Sequence, residues 1–443
     1  MRTIWIASAL FSLVMTLLGI DRYITFHSGA DLGEFVQTIA TPLSGFGDTP
    51  EGGSHFLHHF SPLLFVFSPL LLAFRSPVVL IALQALGGAL VGPAVFLLAR
   101  PRMEARLATL VAILALVYPP LVGVTFTDFH ENGLAPAAIA WLIWAVDARR
   151  FRLAALLVLL ALAIKEDEAL VIFSLGIGYA VWRGRERDAL GCRFGVGSAA
   201  AAALVFVAYF AVIRPLAGGH GPWFALDYFA GHAFDTPHGA AIVIGRVTFL
   251  LEALVPLAFV PLLTPAFLLV VPGLVEVLAS RWSITYTMGQ HYAGIWIGEM
   301  LAAFVFGVAR LVRERPTFAL PVTRVALALS ALNLIVASPT HWGHYLRART
   351  AHDAALDALV ARVPRGAPVA TYDEVYSHLG FDPRAQIGFS PDSEPQYLLF
   401  DERYDGAAWR TIYRPRLQEL LHVGSYAAIA SEDGATLYRH RDP

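Results

Sequence analysis

Long apolar runs alternate with short polar segments over most of this chain. A bilayer core about 30 Å thick needs about 20 helical residues to cross it. The alternation therefore predicts an α-helical polytopic membrane protein with about 11 transmembrane helices. A shorter apolar piece at Ser61–Phe74, interrupted by Pro62 and Pro69, is typical of a re-entrant or interface helix. The predicted crossing segments are Ile4–Ile20, Pro77–Ala99, Leu107–Thr125, Leu134–Val146, the two halves of Leu153–Trp182, Val196–Ile213, Val247–Leu263, Pro265–Ala279, His291–Val312 and Phe318–Ala337.

The stretch Leu153–Trp182 has four consecutive charges between two apolar runs. As one continuous helix it would place these charges at mid-membrane, at a cost of about 2.5–3.5 kcal/mol each. The pattern instead favours two short helices that meet at a wet or protein-lined surface. The four charged residues, the KEDE segment below, are Lys165, Glu166, Asp167 and Glu168.

Arginines are concentrated in alternate polar segments, such as residues 149–152 and 183–187. Basic residues mark the cytoplasmic side of a membrane protein. This predicts a multi-pass protein of the inner (plasma) membrane, with a cytoplasmic N-terminus, an extracytoplasmic C-terminus and an outward-facing KEDE segment. The segment Ile4–Ile20 is predicted to be a membrane helix rather than a cleaved signal peptide, because no A-x-A-like site follows it.

The character of the chain changes near residue 344. Short apolar runs typical of strands alternate there with helical stretches. This predicts a transmembrane domain over residues 1–343 and a small extracytoplasmic α/β domain over residues 344–443. The predicted strands are Pro368–Tyr372, Gln396–Asp401, Tyr426–Ala430 and Thr436–Arg439, and the predicted helices are Arg347–Val363, Glu374–Leu379 and Tyr413–Leu421.

Composition supports a membrane protein and excludes some other classes. The chain is 57% hydrophobic and only 15% charged, whereas soluble domains have about 25% charged residues. A net charge of −2 argues against a nucleic-acid partner. The single cysteine, Cys192, excludes an intrachain disulfide framework and a cysteine-based zinc site.

Polar residues that suit catalysis are concentrated on the predicted outer side. Asp31 and Glu34 are three residues apart in ADLGEF, so they share one face of a helix. A carboxylate beside an apolar interface can have a raised pKa, which suits a general base; solvated loop acids are the alternative. The outer histidines are His27, His55, His58, His59, His130, His220, His232, His238 and His291.

The motif TDFHEN contains a candidate metal site. Asp128 and His130 point the same way in an extended turn, and carboxylate with imidazole suits a divalent ion such as Mg²⁺ or Mn²⁺. Alternatively, Asp128 caps a short turn. In HFLHHFSP, His55 and His59 are four residues apart, a spacing that can bind a metal from one helix face. The alternative there is a set of interfacial histidines without metal.

Outer-side cations indicate a site for a phosphate group. Lys165 is the only lysine among 32 basic residues, and its compact charge differs from that of arginine. The alternatives are a salt bridge from Lys165 to Glu166 or Asp167, and headgroup contacts for the arginines. The predicted substrate- or phosphate-binding residues are Lys165, His59, Arg246, His291 and Tyr292.

Several motifs together are similar to those of a known family. The order ADLGEF, HFSPLLFVFSPLL, DFHENGLA, IKEDEAL, PLAFVPLLTPAFLLVVPGLVEVLAS and QHYAGIW resembles a family of bacterial and archaeal polytopic membrane proteins of unknown function. The resemblance covers about residues 20–440. It implies membership of a family described only as predicted membrane proteins, with no assigned reaction.

The layout is more distantly similar to the C-type glycosyltransferases, which use polyprenyl-phosphate sugars at the outer face of the membrane. In this comparison Asp31 matches a first-loop acid that acts as base or metal ligand. Asp128 and His130 match a second acidic motif, often Asp-x-Asp, in which His130 replaces the second aspartate. Lys165 resembles a lysine that contacts the lipid phosphate.

The resemblance implies a hexosyl- or pentosyltransferase that moves a sugar from a polyprenyl-phosphate carrier to a lipid, glycan or protein acceptor. Asp31, Glu34 and Asp128 are the predicted catalytic residues, and Asp128 with His130 is the predicted site for Mg²⁺ or Mn²⁺. Two alternatives stay open: a transporter or lipid flippase of the cell envelope, and a non-catalytic envelope scaffold.

Overall fold

The computed structural model describes residues 1–230, 239–336, 346–388, 394–406 and 409–441. The chain divides into two compact units. We call them the helical unit (Met1–Leu17, Phe56–Val66 and Ala82–Trp342) and the mixed unit (Leu18–His55, Phe67–Ile81 and Gly343–Pro443). The predicted histidines His232 and His238 lie outside the described residues, as does residue 344, the predicted start of the second domain.

Most of the described chain is helical, because a helix pairs its own backbone groups and can therefore lie in lipid. The α-helices, in chain order, are α1 Arg2–Ile24, α2 Ala30–Ala40, α3 Leu64–Phe74, α4 Val78–Ala89, α5 Val91–Ala99, α6 Ala105–Leu116, α7 Pro119–Phe126, α8 Ala135–Asp147, α9 Phe151–Leu162, α10 Asp167–Arg185, α11 Ala189–Ala208, α12 Arg214–Leu216, α13 Leu226–Ala230, α14 Ala240–Leu254, α15 Val271–Ala279, α16 Gly294–Glu314, α17 Pro316–Val336, α18 Ala351–Val360, α19 Asp373–Leu379 and α20 Arg414–His422. Single-turn 3₁₀ segments are His55–Leu57, Glu131–Leu134, Val255–Leu257, Val260–Leu263, Pro265–Leu269, Ser283–Tyr286 and His291–Ala293, and π-helical segments are Tyr209–Ile213 and Trp409–Tyr413.

Six helical segments of the described chain are long and apolar enough to cross a membrane. A seventh results if α6 and α7, which meet at a 43° bend, form one span. The predicted number of about 11 is therefore not confirmed, while the multi-pass membrane class is supported. The six segments are Arg2–Ile24, Val78–Ala99, Ala189–Leu216, Ala240–Leu257, His291–Glu314 and Pro316–Val336.

The structure changes the bounds of the crossing helices predicted over Val247–Leu263 and Pro265–Ala279. One candidate span covers Ala240–Leu257, and no candidate span of the described chain covers Pro265–Ala279. Helix α14 begins earlier, at Ala240, and ends at Leu254; three 3₁₀ segments follow before α15. Prolines stand at the first or second position of each of these pieces. Proline lacks an amide hydrogen and disrupts the preceding helical turn, so it divides the apolar run into short segments.

Helix α16 lies in the centre of the helical unit and is buried along most of its length. It packs against α5, α8 and α17. Close approach depends on small residues: a Cβ at Gly298 would lie 2.8 Å from the Cβ of Ile139 on α8. The core around α16 is built from the apolar residues of these helices.

The KEDE segment joins two helices, as predicted. Helix α9 ends at Leu162, and α10 begins at Asp167. The acids Asp167 and Glu168 occupy the first turn of α10, where negative charge is stabilised by the helix dipole.

The mixed unit contains a five-stranded sheet of order β2-β1-β3-β5-β4. Strand β1 is parallel to β2 and β3, whereas β3–β5 and β5–β4 are antiparallel. Four strands and three helices lie where the sequence predicted them; strand β2, only three residues long, was not predicted. The strands are β1 Val369–Thr371, β2 Ala385–Ile387, β3 Tyr397–Asp401, β4 Tyr426–Glu432 and β5 Ala435–His440.

Residues from the first polar loop complete the mixed unit. The side chain of Gln37 on α2 donates hydrogen bonds to the carbonyl oxygens of Asp382 (2.7 Å) and Ala385 (3.2 Å). It accepts one from Tyr376 Oη (2.8 Å). Phe26 belongs to the same apolar core as the sheet. The compact unit therefore includes more of the chain than residues 344–443, and the extracytoplasmic location of that predicted domain stays a prediction.

Candidate functional site

Lys165 lies at the centre of a charged cluster in the helical unit. It stands between α9 and α10, and its side chain is only 5% exposed. Its ammonium nitrogen is 3.4 Å from Glu131 Oε1 and 3.9 Å from Asp167 Oδ2. Burial acts to lower the pKa of Lys165, but the neighbouring carboxylates outweigh burial and raise the pKa above its ordinary value. The lysine therefore stays charged.

Glu131 connects Lys165 to the DFHEN motif. This residue is fully buried and begins the 3₁₀ segment after α7. Its Oε1 atom accepts a hydrogen bond from Ser61 Oγ (3.3 Å), and its Oε2 atom lies 3.1 Å from His130 Nδ1. One carboxylate thus joins three separate sequence motifs.

Glu166 forms the other side of the cluster. Its carboxylate is 2.8 Å from His59 Nδ1 and accepts a hydrogen bond from the backbone N–H of Phe60 (2.7 Å). Burial acts to raise the pKa of Glu166, but His59, Lys165 and these hydrogen bonds lower it to about 2. Glu166 is therefore ionised and holds the HHFSP segment in place. We call Lys165, Glu131, Glu166, Asp167, His59 and His130 the Lys165 cluster.

An aromatic stack extends the cluster. The rings of His130 and His291 are parallel, with centroids 3.6 Å apart, and Tyr292 packs on His291 at 4.1 Å. Gln84 on α4 fixes the DFH backbone: its Oε1 accepts from the N–H of His130 (2.9 Å), and its Nε2 donates to the carbonyl oxygen of Asp128 (3.3 Å). The structure thus joins five predicted residues through direct contacts or shared acids: Lys165, His59, His130, His291 and Tyr292.

Two other predicted residues of the helical unit have different surroundings. Arg246 on α14 donates a hydrogen bond to the carbonyl oxygen of Ser280 (2.9 Å) and lies over the ring of Tyr286 at 5.8 Å. Asp128 is buried, and its backbone carbonyl oxygen accepts a hydrogen bond from Gln84 Nε2 (3.3 Å). The roles predicted for both residues stay predictions.

The mixed unit holds a second, acidic cluster around α2. Asp31 and Glu34 lie in the first half of this helix, as predicted. Protein surrounds Glu34 on most sides, although part of its surface is reached by solvent. Burial, followed by Asp31 and Asp48, raises the pKa of Glu34 well above its usual range. Its carboxyl group is therefore favoured in the neutral form.

Three further side chains of the mixed unit form a group that could hold a metal ion. Ligand-type atoms of Asp48, Glu51 and His55 all lie within 4.8 Å of one another. The metal pair predicted at His55 and His59 requires both histidines to lie on one helix face. Only His55–Leu57 forms a 3₁₀ turn, so the two histidines do not share a helix face, and His59 pairs with Glu166 instead.

The sequence named Glu166 only as an alternative partner of Lys165, and it gave no role to Glu131 or to the acids of the triad. Glu131 was visible in DFHEN and Glu166 in KEDE, but nothing local indicated which cation each would meet. The spacing D-x-x-E-x-x-x-H in DTPEGGSH was a usable signal for the triad.

Comparison with known protein families assigns the chain to one of them. Residues 22–437 match the family described as "Predicted membrane protein (DUF2079)". The chain belongs to this family. The match includes the motifs of both clusters and nearly the whole of the mixed unit, so family membership covers both units. No curated protein matches the chain.

Solved structures similar to this family member are C-type glycosyltransferases. ArnT from Cupriavidus metallidurans bound to undecaprenyl phosphate has a TM-score of 0.59 at 12% identity, and the alignment covers 97% of each chain. The apo state of the same protein has a TM-score of 0.56 at 12% identity with the same coverage. Archaeal oligosaccharyltransferase AglB from Archaeoglobus fulgidus, in complex with an inhibitory peptide and a dolichol-phosphate, has a TM-score of 0.48 at 13% identity, covering 98% of this chain and 74% of that chain. At such identities the likeness to ArnT establishes the fold alone.

Proposed function

We propose that this protein is an integral-membrane glycosyltransferase that moves a sugar from a polyprenyl-phosphate carrier to an acceptor at the outer face of the membrane. The observation that carries the proposal is the likeness to ArnT over 97% of both chains, in a structure bound to undecaprenyl phosphate. The membrane is the inner (plasma) membrane, with the N-terminus cytoplasmic and the C-terminus extracytoplasmic.

In the proposed reaction, an acceptor hydroxyl oxygen attacks the anomeric carbon of the sugar. The bond from that carbon to the phosphate oxygen breaks, and polyprenyl phosphate leaves with the electron pair. Asp31 takes the hydroxyl proton as general base. Glu34, favoured in its neutral form, lies one helical turn from Asp31 on α2 and supports it without adding a second negative charge.

Lys165 is proposed to stabilise the charge on the departing phosphate. A buried and permanently charged ammonium suits this role, and the carboxylates of Glu131 and Asp167 keep the nitrogen in place. The neighbouring His59, His291 and Tyr292 are proposed to contact the same lipid phosphate, as is Arg246. Asp128 and His130 are proposed to orient the acceptor or to hold a divalent cation.

Chemical analysis of the envelope tests this function. In a deletion strain, mass spectrometry of lipid-linked sugars and envelope glycans should show loss of one glycan modification and accumulation of its lipid-linked sugar donor. Re-expression of the wild-type protein should restore the profile. An unchanged profile in the deletion strain would contradict the transferase proposal.

Two variants separate the transferase from the other functions. Asp31→Asn and Lys165→Arg should abolish the modification while the protein remains at wild-type level in the membrane, because one loses the base and the other replaces a compact charge by a planar one. Arg152→Gln, at an exposed arginine, is the matched control and should restore the modification fully. A scaffold would tolerate all three substitutions. If the protein were a flippase, its deletion would leave the sugar lipid at the cytoplasmic face, where membrane-impermeant periodate cannot oxidise it.

A further inference from the structure

The segment DTPEGGSH in the mixed unit contains the Asp48–Glu51–His55 triad. Two of its members are buried: Asp48 is 7% exposed and His55 is 3% exposed. Glu51 is more open, with 26% of its side chain exposed, and its Oε2 atom lies 3.5 Å from His55 Nδ1. The triad therefore combines two carboxylates and one imidazole, with solvent access on the Glu51 side.

The two buried members are held in position by neighbouring groups. Asp48 accepts hydrogen bonds from Thr38 Oγ1 (3.1 Å) and from the backbone N–H of Glu51 (2.8 Å). The backbone N–H of His55 donates to the carbonyl oxygen of Phe46 (2.7 Å), and the imidazole packs edge-on against the rings of Phe35 and Phe46. Outer contacts that fix carboxylate and imidazole orientation are a general feature of metal sites.

Charge around the triad is a separate indication of a cation. Glu34 makes no hydrogen bond or ion pair with any other residue that the structure describes, although protein surrounds most of its side chain. Four other carboxylates act electrostatically on Glu34: those of Asp31, Asp48, Glu51 and Asp373. Such a concentration of acids is unfavourable without a compensating positive charge.

We infer that Asp48, Glu51 and His55 bind a divalent transition-metal cation. Two carboxylate oxygens and one imidazole nitrogen suit Zn²⁺ or Mn²⁺, and the nitrogen ligand disfavours Mg²⁺ and Ca²⁺, which prefer oxygen. For one set of ligands of this kind, Zn²⁺ binds more tightly than Mn²⁺. Three protein ligands leave coordination positions open to water or to a ligand on the exposed side.

The inference does not rest on the proposed transferase activity, because metal binding is measured on the purified protein without any sugar donor. Full-length protein, with any histidine tag removed, is treated with EDTA in detergent and titrated calorimetrically with ZnCl₂, MnCl₂ or MgCl₂. We expect one Zn²⁺ per chain, weaker binding of Mn²⁺ and no measurable heat with Mg²⁺.

Variants assign the site. Asp48→Asn and His55→Gln should each weaken Zn²⁺ binding at least about tenfold. The control is His440→Gln, at a mixed-unit histidine that contacts Glu394 and Tyr426, and it should bind Zn²⁺ as the wild type does. Thermal melting of the EDTA-treated proteins checks folding. If either buried variant fails to fold, Glu51→Gln at the more exposed member replaces it in the test and should show the same loss of Zn²⁺ affinity.

Three results would overturn the inference. The wild-type protein could fail to bind Zn²⁺ even at millimolar concentration. Folded Asp48→Asn and His55→Gln could bind as tightly as the wild type. The loss could instead follow His130→Gln, which would move the cation to the Asp128–His130 pair predicted from sequence.

Discussion

Lys165 keeps its positive charge in a buried position because acids from two directions surround it. The sequence left two interpretations open, a phosphate site or a salt bridge to Glu166 or Asp167. The structure shows a 3.9 Å ion pair to Asp167 and a closer one, 3.4 Å, to Glu131 of another motif. The ion pairs and the proposed phosphate contact are compatible, since an ammonium group has three donors.

Lys165→Met should destabilise the protein strongly. Breaking a buried ion pair from one side costs about 3–5 kcal/mol, because Glu131 is left as an uncompensated buried charge. The double variant Lys165→Met/Glu131→Gln should recover part of that loss. Denaturant unfolding of the purified proteins measures both, and a single variant within about 0.5 kcal/mol of the wild type would contradict the role given to the pair.

His378 gives the mixed unit a predicted sensitivity to acid. Its Nε2–H donates to the carbonyl oxygen of Tyr23 (3.0 Å), and its ring lies between those of Tyr23 and Phe26. Burial is the main cause that lowers the pKa of His378 to about 4 from an ordinary value of 6.5. The folded protein therefore holds a neutral imidazole where the unfolded chain would bind a proton.

The stabilisation linked to His378 should be complete above pH 6.5 and decrease as pH falls from 6.5 towards 4, because only the unfolded chain gains a proton in that range. Discounted for partial exposure of the ring, the loss at pH 5 is about 1–2 kcal/mol. His378→Gln removes the titrating group, so its melting temperature should depend less on pH. Parallel pH profiles for the variant and the wild type would contradict this assignment.

At the scale of elements, helices α10 and α11 meet at two glycines. A Cβ on Gly195 would lie 2.6 Å from the carbonyl oxygen of Gly176 and 2.7 Å from the amide nitrogen of Ala180. Both neighbours are backbone atoms, so neither can move aside without moving its helix. Small residues of this kind let helices in membranes approach closely.

Gly195→Ala should therefore lower the free energy of unfolding by about 1–3 kcal/mol through overpacking. Gly197→Ala lies two residues away on α11, where a Cβ would meet nothing within 4 Å. This control should be neutral or stabilising by up to about 1 kcal/mol, because alanine has the higher helix propensity. The same destabilisation in both variants, measured by denaturant unfolding, would show that packing at Gly195 is not the cause.

At the scale of the whole molecule, sequence-distant segments assemble each unit. In the mixed unit, Gln37 of the first polar loop bonds to backbone groups near residue 385, more than 300 positions further along. The Lys165 cluster joins residues from the HHFSP, DFHEN and KEDE motifs. The Lys165 cluster therefore depends on long-range folding, whereas the Asp48–Glu51–His55 triad lies within one continuous segment.

The proposed topology predicts which side chains are reachable from outside the cell. Cys192 is the only native cysteine, so Cys192→Ser provides a cysteine-free background. In that background His220→Cys should react with a membrane-impermeant maleimide in intact spheroplasts, and Arg185→Cys should react only after permeabilisation. Both residues are exposed, so access across the membrane is the variable measured. The reverse labelling pattern would invert the proposed orientation.

The sequence by itself determined the membrane class, the two-helix form of the KEDE region and most strands of the C-terminal sheet. Hydrophobic period, arginine distribution and helix length are local properties, so they can be read along the chain. The proline-divided segment after α14 was misjudged because apolar composition alone does not reveal where backbone hydrogen bonds end. The predicted number of spans is not confirmed for a related reason, since several apolar segments of the described chain fold as short helices or single turns.

Only the tertiary structure decided which charges meet. Pairing Lys165 with Glu131 and joining His130 with His291 required the chain to bring separate segments within a few ångströms. Electrostatic and hydrogen-bond energies depend on distance and burial, and neither quantity is a property of sequence spacing. The residue types that carry the chemistry were therefore visible in the sequence, whereas their partners were set by the fold.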